Sequence, residues 1–188
     1  MPQDNIDRAI KKGTGELPGT VYEEVNYEGY GPQGVAIYVQ CLTDNKNRTA
    51  SEIRSIYDKK GGNMAGAGSV AWIFEKKGLF VIETAAISED KLMELVLSAG
   101  AEDLTTSGDS YEVTSSPHDF DAVKKAIADQ KVATKSAEIT MLPKNLIKVD
   151  AHNAKQVLAL IEGLEDHDDV QNVYSNVDIP DEVMKELG

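Results

Sequence analysis

The chain has little of several residue types: one cysteine, one tryptophan, three arginines, and only 6% aromatic residues among 188. A single cysteine, Cys41, cannot form an internal disulfide and fits a reducing compartment. No apolar run approaches the roughly 20 residues of a membrane span, and Met1–Asn5 has neither the basic segment nor the apolar core of a signal peptide. With 41% hydrophobic and 27% charged residues, the composition predicts a folded cytoplasmic protein that does not span a membrane.

Positive charge is scarce and unevenly spread. The net charge is -13, which discourages extended electrostatic contact with nucleic acid or an anionic membrane. Residues 1–62 hold 8 Lys+Arg against 9 Asp+Glu, which leaves 11 against 23 for residues 63–188. A contact with an anionic partner is therefore expected in the first third of the chain.

That third contains one basic segment. A predicted strand, Val35–Cys41, has alternating buried positions. It is followed by Thr43–Thr49 and a helix that runs to Lys60, with Gly61 as its stop. Thr49–Glu52 matches a capping box, and an apolar stripe from Thr49 through Tyr57 predicts one buried face.

The remaining elements follow from the same periodicities and turn signals. They are a helix at Asp4–Lys12, a polar-faced strand at Val21–Tyr27, strands at Val70–Phe74 and Leu79–Glu83 separated by a break at Lys76–Gly78, a helix from Ser88 to Gly100, a hairpin of Asp103–Thr106 and Tyr111–Thr114, a helix opened by Ser116, strands at Lys135–Leu142 and Leu146–Val149, a helix with the stripe Ala154, Val157, Leu158, Ile161 and Leu164, and a strand at Val170–Tyr174.

This order predicts an α+β fold with two nested units. Residues 79–142 spell βαββαβ, and the flanking segments 35–74 and 146–174 together spell it again. The simplest architecture is one ferredoxin-like domain (78–142) inserted into another (19–77 plus 143–188). A single sheet of seven or eight strands is the alternative.

The sequence shows no clear set of catalytic residues. Cys41 lies on the apolar face of its strand without a basic neighbour, which favours a buried thiol over a nucleophile. His118, His152 and His167 lie at helix ends among acidic residues, which is typical of solvated side chains. The acidic residues around His167 lack the spacing of a calcium loop. We therefore predict a protein that is not an enzyme and has no cofactor.

Two interpretations of the basic helix remain open. Arg48 with Glu52 and Arg54 with Asp58 have the four-residue spacing of surface ion pairs, which would make the helix merely solvated. The alternative is a phosphate-contacting helix. That alternative uses the cations Lys46, Arg48, Arg54, Lys59 and Lys60.

Aromatic side chains offer a second candidate contact. Tyr38 lies opposite the buried positions of its strand, so it could stack on a base or pack against a neighbouring domain. Trp72 and Phe74 are interpreted as core or sheet-face residues.

Six stretches carry a resemblance to a known family: Pro2–Gly13, Tyr27–Pro32, Thr43–Thr49, Gly61–Asn63, Phe74–Gly78 and Asp169–Asn176. Together they make the chain similar to the YebC family, which includes the mitochondrial translational activator of cytochrome c oxidase subunit I. The resemblance covers essentially the whole chain.

The resemblance implies a regulator of gene expression that binds DNA, or rRNA or tRNA at the ribosome. It also implies two nested α/β domains behind a basic helical domain, of which residues 1–18 would be the remnant and linker. By family position, Lys46, Arg48 and Thr49 are the residues expected to bind nucleic acid. Arg54, Lys59, Lys60, Lys11, Lys12 and Tyr38 complete the candidate set.

Other functions stay open at this point. The acidic inserted domain could bind a basic protein surface without any nucleic-acid contact, and a cleft between the sheets could bind a small ligand. We expect a monomer.

Overall fold

The computed structural model describes residues 20–188, which divide into an outer unit (residues 20–74 with Pro143–Gly188) and an inserted unit (Glu75–Leu142). The predicted helix Asp4–Lys12 lies outside the described residues. In chain order the elements are β1 (Glu23–Tyr30), β2 (Ala36–Thr43), α1 (Lys46–Lys59), β3 (Asn63–Ala65), β4 (Phe74–Glu83), α2 (Glu89–Ser98), β5 (Ala101–Ser107), β6 (Ser110–Ser115), α3 (Phe120–Asp129), β7 (Ser136–Pro143), β8 (Ile147–Lys148), α4 (Ala151–Glu165), β9 (Val170–Ser175), β10 (Val177–Asp178) and α5 (Asp181–Leu187).

The predicted α+β class is confirmed, because each unit is built on a four-stranded antiparallel sheet. In the inserted unit the strand order is β5-β6-β4-β7, which is the order of a ferredoxin-like βαββαβ sheet. Its core joins Phe80 and Ile82 of β4 to Leu92 and Val96 of α2, with Val123 of α3 among the residues that complete it. None of the described helices is long and apolar enough to cross a bilayer.

The outer sheet has the order β3-β1-β2-β9. Its central hairpin pairs Glu23 with Thr43 at one end and Tyr30 with Ala36 at the other. The β1 strand, which sequence reasoning placed outside the nested pattern, therefore occupies a central position. A tight turn at Pro32–Gly34 allows this pairing, since Gly34 adopts a φ of +76°.

Two predicted strands of the outer unit are wrong. Val70–Ile73 is not a strand, because Ala71–Ile73 forms a 3-10 turn, and Phe74 is the first residue of β4, which runs without a break through Lys76–Gly78. The second error is Leu146–Val149, of which only Ile147 and Lys148 form a strand, paired in parallel with β10 outside the four-stranded sheet.

The core of the outer unit lies between its sheet and the helices α1 and α4. The predicted inward set of β2 is confirmed, because Val35, Ile37, Val39 and Cys41 all belong to this core. The expectation that only one face of the strand is buried is wrong, since Ala36 and Tyr38 on the other face are buried as well. On α1 the stripe of Thr49, Ile53 and Tyr57 is buried as expected. On α4, however, the buried residues are Ala154, Val157, Leu160 and Leu164, while the predicted Leu158 is 39% exposed.

Candidate nucleic-acid interface

Helix α1 begins four residues earlier than the capping box predicted. Asn45 is the N-cap, and its Oδ1 accepts a hydrogen bond from the Arg48 backbone N–H at 3.1 Å. The preceding turn is held by Thr43, whose Oγ1 accepts from the Asn45 N–H at 3.0 Å. Thr49 is thus inside the helix and faces the core, so the expectation that it caps the helix is wrong.

Arg48 and Thr49 share one partner, the carboxylate of Asp169, which is 3% exposed and directly precedes β9. Arg48 Nη2 donates to Asp169 Oδ2 at 2.7 Å, and Thr49 Oγ1 lies 2.9 Å from the same oxygen. Thr49 Oγ1 is also 2.7 Å from Thr43 Oγ1. The hydrogen bond to Asp169 raises the pKa of Arg48, which stays charged at any relevant pH.

This cluster removes Thr49 from the contact surface and restricts Arg48. Thr49 is fully buried, so its hydroxyl cannot reach a phosphate. Arg48 keeps 43% of its side chain exposed, but it also lies 3.3 Å from Asp44 and 3.9 Å from Glu52. The i,i+4 contact with Glu52 that the sequence predicted is therefore present, although its N–O distance is a long 3.9 Å. The stronger partner of Arg48 is Asp169, which lies 121 residues later in the sequence.

His167 belongs to the same cluster and is not the solvated side chain that was expected. Its Nδ1 accepts the Asp169 backbone N–H at 3.1 Å, and its Nε2 lies 2.7 Å from Glu52 Oε2. An acceptor at Nδ1 places the proton of the neutral ring on Nε2, from which it is donated to Glu52.

The same side chains include a group that could hold a metal ion. Ligand atoms of Glu52, His167 and Asp169 lie within 4.8 Å of one another. The guanidinium of Arg48, however, already neutralises Asp169. The Nε2 atom of His167 donates its proton to Glu52 and therefore offers no lone pair to a metal. The arrangement is thus complete as a hydrogen-bonded network that joins α1 to β9.

The other candidate cations differ in how free they are. Lys46 pairs with Glu23 at 3.1 Å, and both side chains are more than half exposed. Arg54, Lys59 and Lys60 are exposed and form no ion pair among residues 20–188. The predicted pair of Arg54 with Asp58 is therefore wrong.

These three cations do not form one stripe. Arg54 follows the buried Ile53 by one residue, while Lys59 follows the buried Tyr57 by two, so at 100° per residue they lie on opposite flanks of α1. The stem of Lys60 runs along α4, since its Cε would lie 3.6 Å from a Cβ at Gly163. Lys11 and Lys12 lie outside the described residues.

Tyr38 is not available as an open stacking surface. It is 8% exposed, and its ring lies 6.0 Å from that of Phe74 and 6.4 Å from that of Tyr174, measured between centroids. The alternation of β2 correctly put Tyr38 on the face opposite the helices. It could not reveal that other aromatic rings cover that face.

Sequence reasoning missed Glu28, a carboxylate that is 6% exposed on β1. Its Oε1 accepts the Gly68 backbone N–H at 3.0 Å, and its Oε2 accepts those of Val70 at 2.8 Å and Ala71 at 3.1 Å. Burial alone would raise the pKa of Glu28, but these backbone donors together lower it below its ordinary value. The sequence offers one signal for this role of Glu28, namely the glycine-rich stretch at residues 61–74, which has no charged residue of its own to bind its backbone N–H groups.

Trp72 contradicts its interpretation as a packing residue, because it is 67% exposed. Its Nε1 donates to the carbonyl oxygen of Ser69 at 3.0 Å, and the same oxygen accepts from Tyr30 Oη at 3.2 Å. Phe74, which was given the same interpretation, is buried.

The geometry defines a mixed α+β protein whose basic helix is anchored at one end and exposed at the other. Residues 22–177 match the family model described as the second and third domain of TACO1/YebC, and the chain belongs to this family. The resemblance to the YebC family is thereby confirmed.

Curated relatives are similar over the whole chain. It is 54% identical over 188 residues to a "Probable transcriptional regulatory protein" of Dictyoglomus turgidum, covering 100% of this chain and 76% of the relative. It is 55% identical to a protein of the same name from Syntrophus aciditrophicus, covering 100% and 75%.

One solved structure agrees with the fold. The crystal structure of a conserved hypothetical protein of Aquifex aeolicus, Aq1575, matches with a TM-score of 0.76 and 41% identity, covering 96% of this chain and 75% of that one. The relatives are named as regulatory proteins, and none of these names describes an enzyme.

Proposed function

We propose that this protein is a non-enzymatic regulator of gene expression that binds nucleic acid through the exposed cations of α1. The names of its relatives support the regulatory class. The observation that carries the binding surface is the set of Arg54, Lys59 and Lys60. Each is exposed and free of a carboxylate partner among the described residues, in a chain whose net charge is -13.

The local charge balance supports this location. From Asp44 to Lys60 the chain has five Lys+Arg (46, 48, 54, 59, 60) and three Asp+Glu (44, 52, 58), a net charge of +2. Phosphate contacts are dominated by such cations and release condensed counterions. Arg48 and Lys46 contribute to the local potential, but their carboxylate partners reduce their share in direct contact.

The test is the salt dependence of affinity for DNA and for RNA. Changing Arg54, Lys59 and Lys60 together to Gln should weaken binding and reduce the slope of log K against log salt by about 1–2, since each phosphate contact contributes about 0.7–0.9 and one strand does not contact both flanks of α1. A control with the same charge change, Lys91, Lys124 and Lys131 to Gln in the inserted unit, should leave the slope unchanged. Equal slopes for the wild type and the α1 variant would refute this surface.

Both DNA-level and RNA-level regulation fit this surface, because phosphate contacts do not distinguish them. Crosslinking in cells, followed by sequencing of the attached nucleic acid, separates promoter DNA from rRNA, tRNA or mRNA. Recovery of neither above the level of the α1 variant would contradict the proposal.

The protein-interaction alternative is favoured by the charge of the inserted unit. Residues 75–142 hold 7 Lys+Arg against 13 Asp+Glu, and Met93 and Leu97 of α2 are exposed. An association with a purified basic protein that survives nuclease treatment and weakens when these two residues are changed to Ser would favour it over nucleic-acid binding.

A further inference from the structure

The ring of Trp72 in the outer unit is exposed and does not belong to the hydrophobic core of that unit. Two thirds of this large apolar side chain is in water, although its neighbours Ile73 and Phe74 are buried. Tryptophan is among the residues most often found as an anchor in binding sites, where one face of the ring is covered by the partner.

Hydrogen bonds hold both the Trp72 ring and the loop that carries it, although an exposed side chain does not need such support. The carboxylate of Glu28 fixes the backbone of Gly68, Val70 and Ala71, and the Ser69 carbonyl oxygen fixes the indole N–H. Gly68 adopts a φ of +87°, which allows the turn. A ring fixed before binding loses little conformational entropy when a partner covers it.

The charges of the segment that is hydrogen-bonded to the Trp72 loop favour an anionic partner. The Lys144 backbone N–H donates to the Ile73 carbonyl oxygen at 2.8 Å, which places the backbone of Lys144 beside the residue that follows Trp72. The segment 143–149 contains Lys144 and Lys148 and no acidic residue, and residues 64–74 carry no charge of their own. The carboxylate of Glu28, which holds this loop, is buried and engaged by three backbone N–H groups. Lys144 is exposed and has no ion pair among the described residues.

We propose that Trp72 is a stacking platform for an unpaired nucleobase, and that Lys144 binds a neighbouring phosphate. An aromatic face beside a cation is the combination that single-stranded nucleic acid uses, because every base has a π-face and every nucleotide a charge. A base inside a duplex is already stacked on both sides, so the ligand class is single-stranded RNA or DNA. The partner class rests on the proposed function, but the surface is separate from α1.

Trp72 is the only tryptophan of the chain, so its fluorescence reports on this surface alone. Titration of the full chain with a 12-nucleotide oligouridine should quench the emission with the same midpoint as the anisotropy of a labelled copy. A 12-base-pair duplex should leave the emission unchanged. Single-stranded and duplex probes of DNA serve the same comparison.

Substitutions separate stacking from simple apolar contact. Trp72→Leu keeps an apolar side chain and should weaken single-strand binding about ten-fold, since one stacked base is worth about that factor. Trp72→Phe keeps a ring and should lose about three-fold or less. Lys144→Gln should lower the salt slope by about 0.7, and Leu97→Ser, an exposed apolar change in the inserted unit, should have no effect.

Each outcome decides the proposal. Binding without quenching, together with full affinity of Trp72→Leu, overturns the stacking platform and leaves the α1 surface intact. Loss of affinity in Trp72→Leu, with an unchanged salt slope in the α1 variant, supports the platform and refutes the α1 surface. Absence of binding to every oligonucleotide overturns both.

Discussion

The contact between Arg48 and Asp169 is predicted to stabilise the outer unit far more than its appearance as a surface ion pair suggests. Two charges about 4 Å apart interact by about 4 kcal/mol at an effective dielectric of 20, and by about 1 kcal/mol in water. Asp169 is buried, whereas Arg48 is 43% exposed. We therefore expect a coupling free energy of about 1.5–3 kcal/mol, between the values for exposed and for buried pairs.

The measurement is a double-mutant cycle of Arg48→Gln and Asp169→Asn, with the free energy of unfolding taken from urea denaturation followed by circular dichroism. Hydrogen exchange over α1 and β9 assigns the transition to the outer unit, because the two units need not unfold together. The matched control is the cycle of Lys46→Gln and Glu23→Gln. That pair is 3.1 Å apart with both side chains more than half exposed, so its coupling should be below about 0.5 kcal/mol.

A coupling in the Arg48 cycle no larger than in the control would refute this reasoning. It would mean that solvent screens the guanidinium from Asp169 in spite of the 2.7 Å contact. Arg48 would then be as free as Arg54 to bind a phosphate, and the α1 surface would have to include it.

Two further predictions concern the loop anchor and the sheet. Glu28→Gln should lower stability at pH 7 by about 2–4 kcal/mol, because three backbone donors lose a charged acceptor. Since the pKa of Glu28 is lowered in the folded protein, the wild type's advantage should be present above the ordinary pKa of an unfolded glutamate and be lost as the pH falls through the lower folded value. Urea midpoints that differ equally at pH 7 and pH 3 would contradict this. Gly29→Ala should cost about 2–3 kcal/mol, because its methyl group would lie 2.6 Å from a buried ring and 2.7 Å from a backbone oxygen, whereas Gly66→Ala, with open space, should change stability by less than about 0.5 kcal/mol; equal thermal shifts would refute the steric argument.

The elements set by local periodicity could be predicted from the sequence. The core-facing residues of β2, the buried stripe of α1, and the hairpin at Ser107–Ser110 all appear where the pattern placed them. In each case the signal lies within a few residues, because side-chain direction follows directly from the repeat of a strand or a helix.

The errors arise where a distant residue decides the local structure. Val70–Phe74 has the composition of a strand, but Glu28, some 42 residues earlier, takes the backbone donors of Val70 and Ala71. Thr49–Glu52 has the spacing of a capping box, but Asn45 caps the helix and Thr49 turns inward to Asp169. No window of local sequence contains these partners.

The sequence proposes a candidate site on α1, but it does not reveal the contacts that the charged groups of this helix make. Charge distribution singles out α1 as the most basic of the described helices, and spacing pairs Arg48 with Glu52 and Arg54 with Asp58. The described contacts keep the Arg48–Glu52 pair only at 3.9 Å and give Arg48 a shorter contact with Asp169 at 2.7 Å. Arg54 has no ion-pair partner within 4.0 Å among residues 20–188. Pairing by spacing fails here because each exposed i,i+4 pair is worth only about 0.3–0.5 kcal/mol, less than one contact to a buried carboxylate.

The two ends of α1 therefore have different tasks. The N-terminal end, which carries the family motif Thr43–Thr49, fixes the helix to β9 through Asp169, and a change there should alter stability first. The C-terminal end carries the free charges Lys59 and Lys60, which can be changed without disturbing a described contact of their charged groups. If a substitution of Arg48 abolishes binding, the loss can come from unfolding, so the stability of that variant has to be measured before the result is assigned to the surface. If a substitution of Lys59 abolishes binding, the loss is assigned directly to the surface.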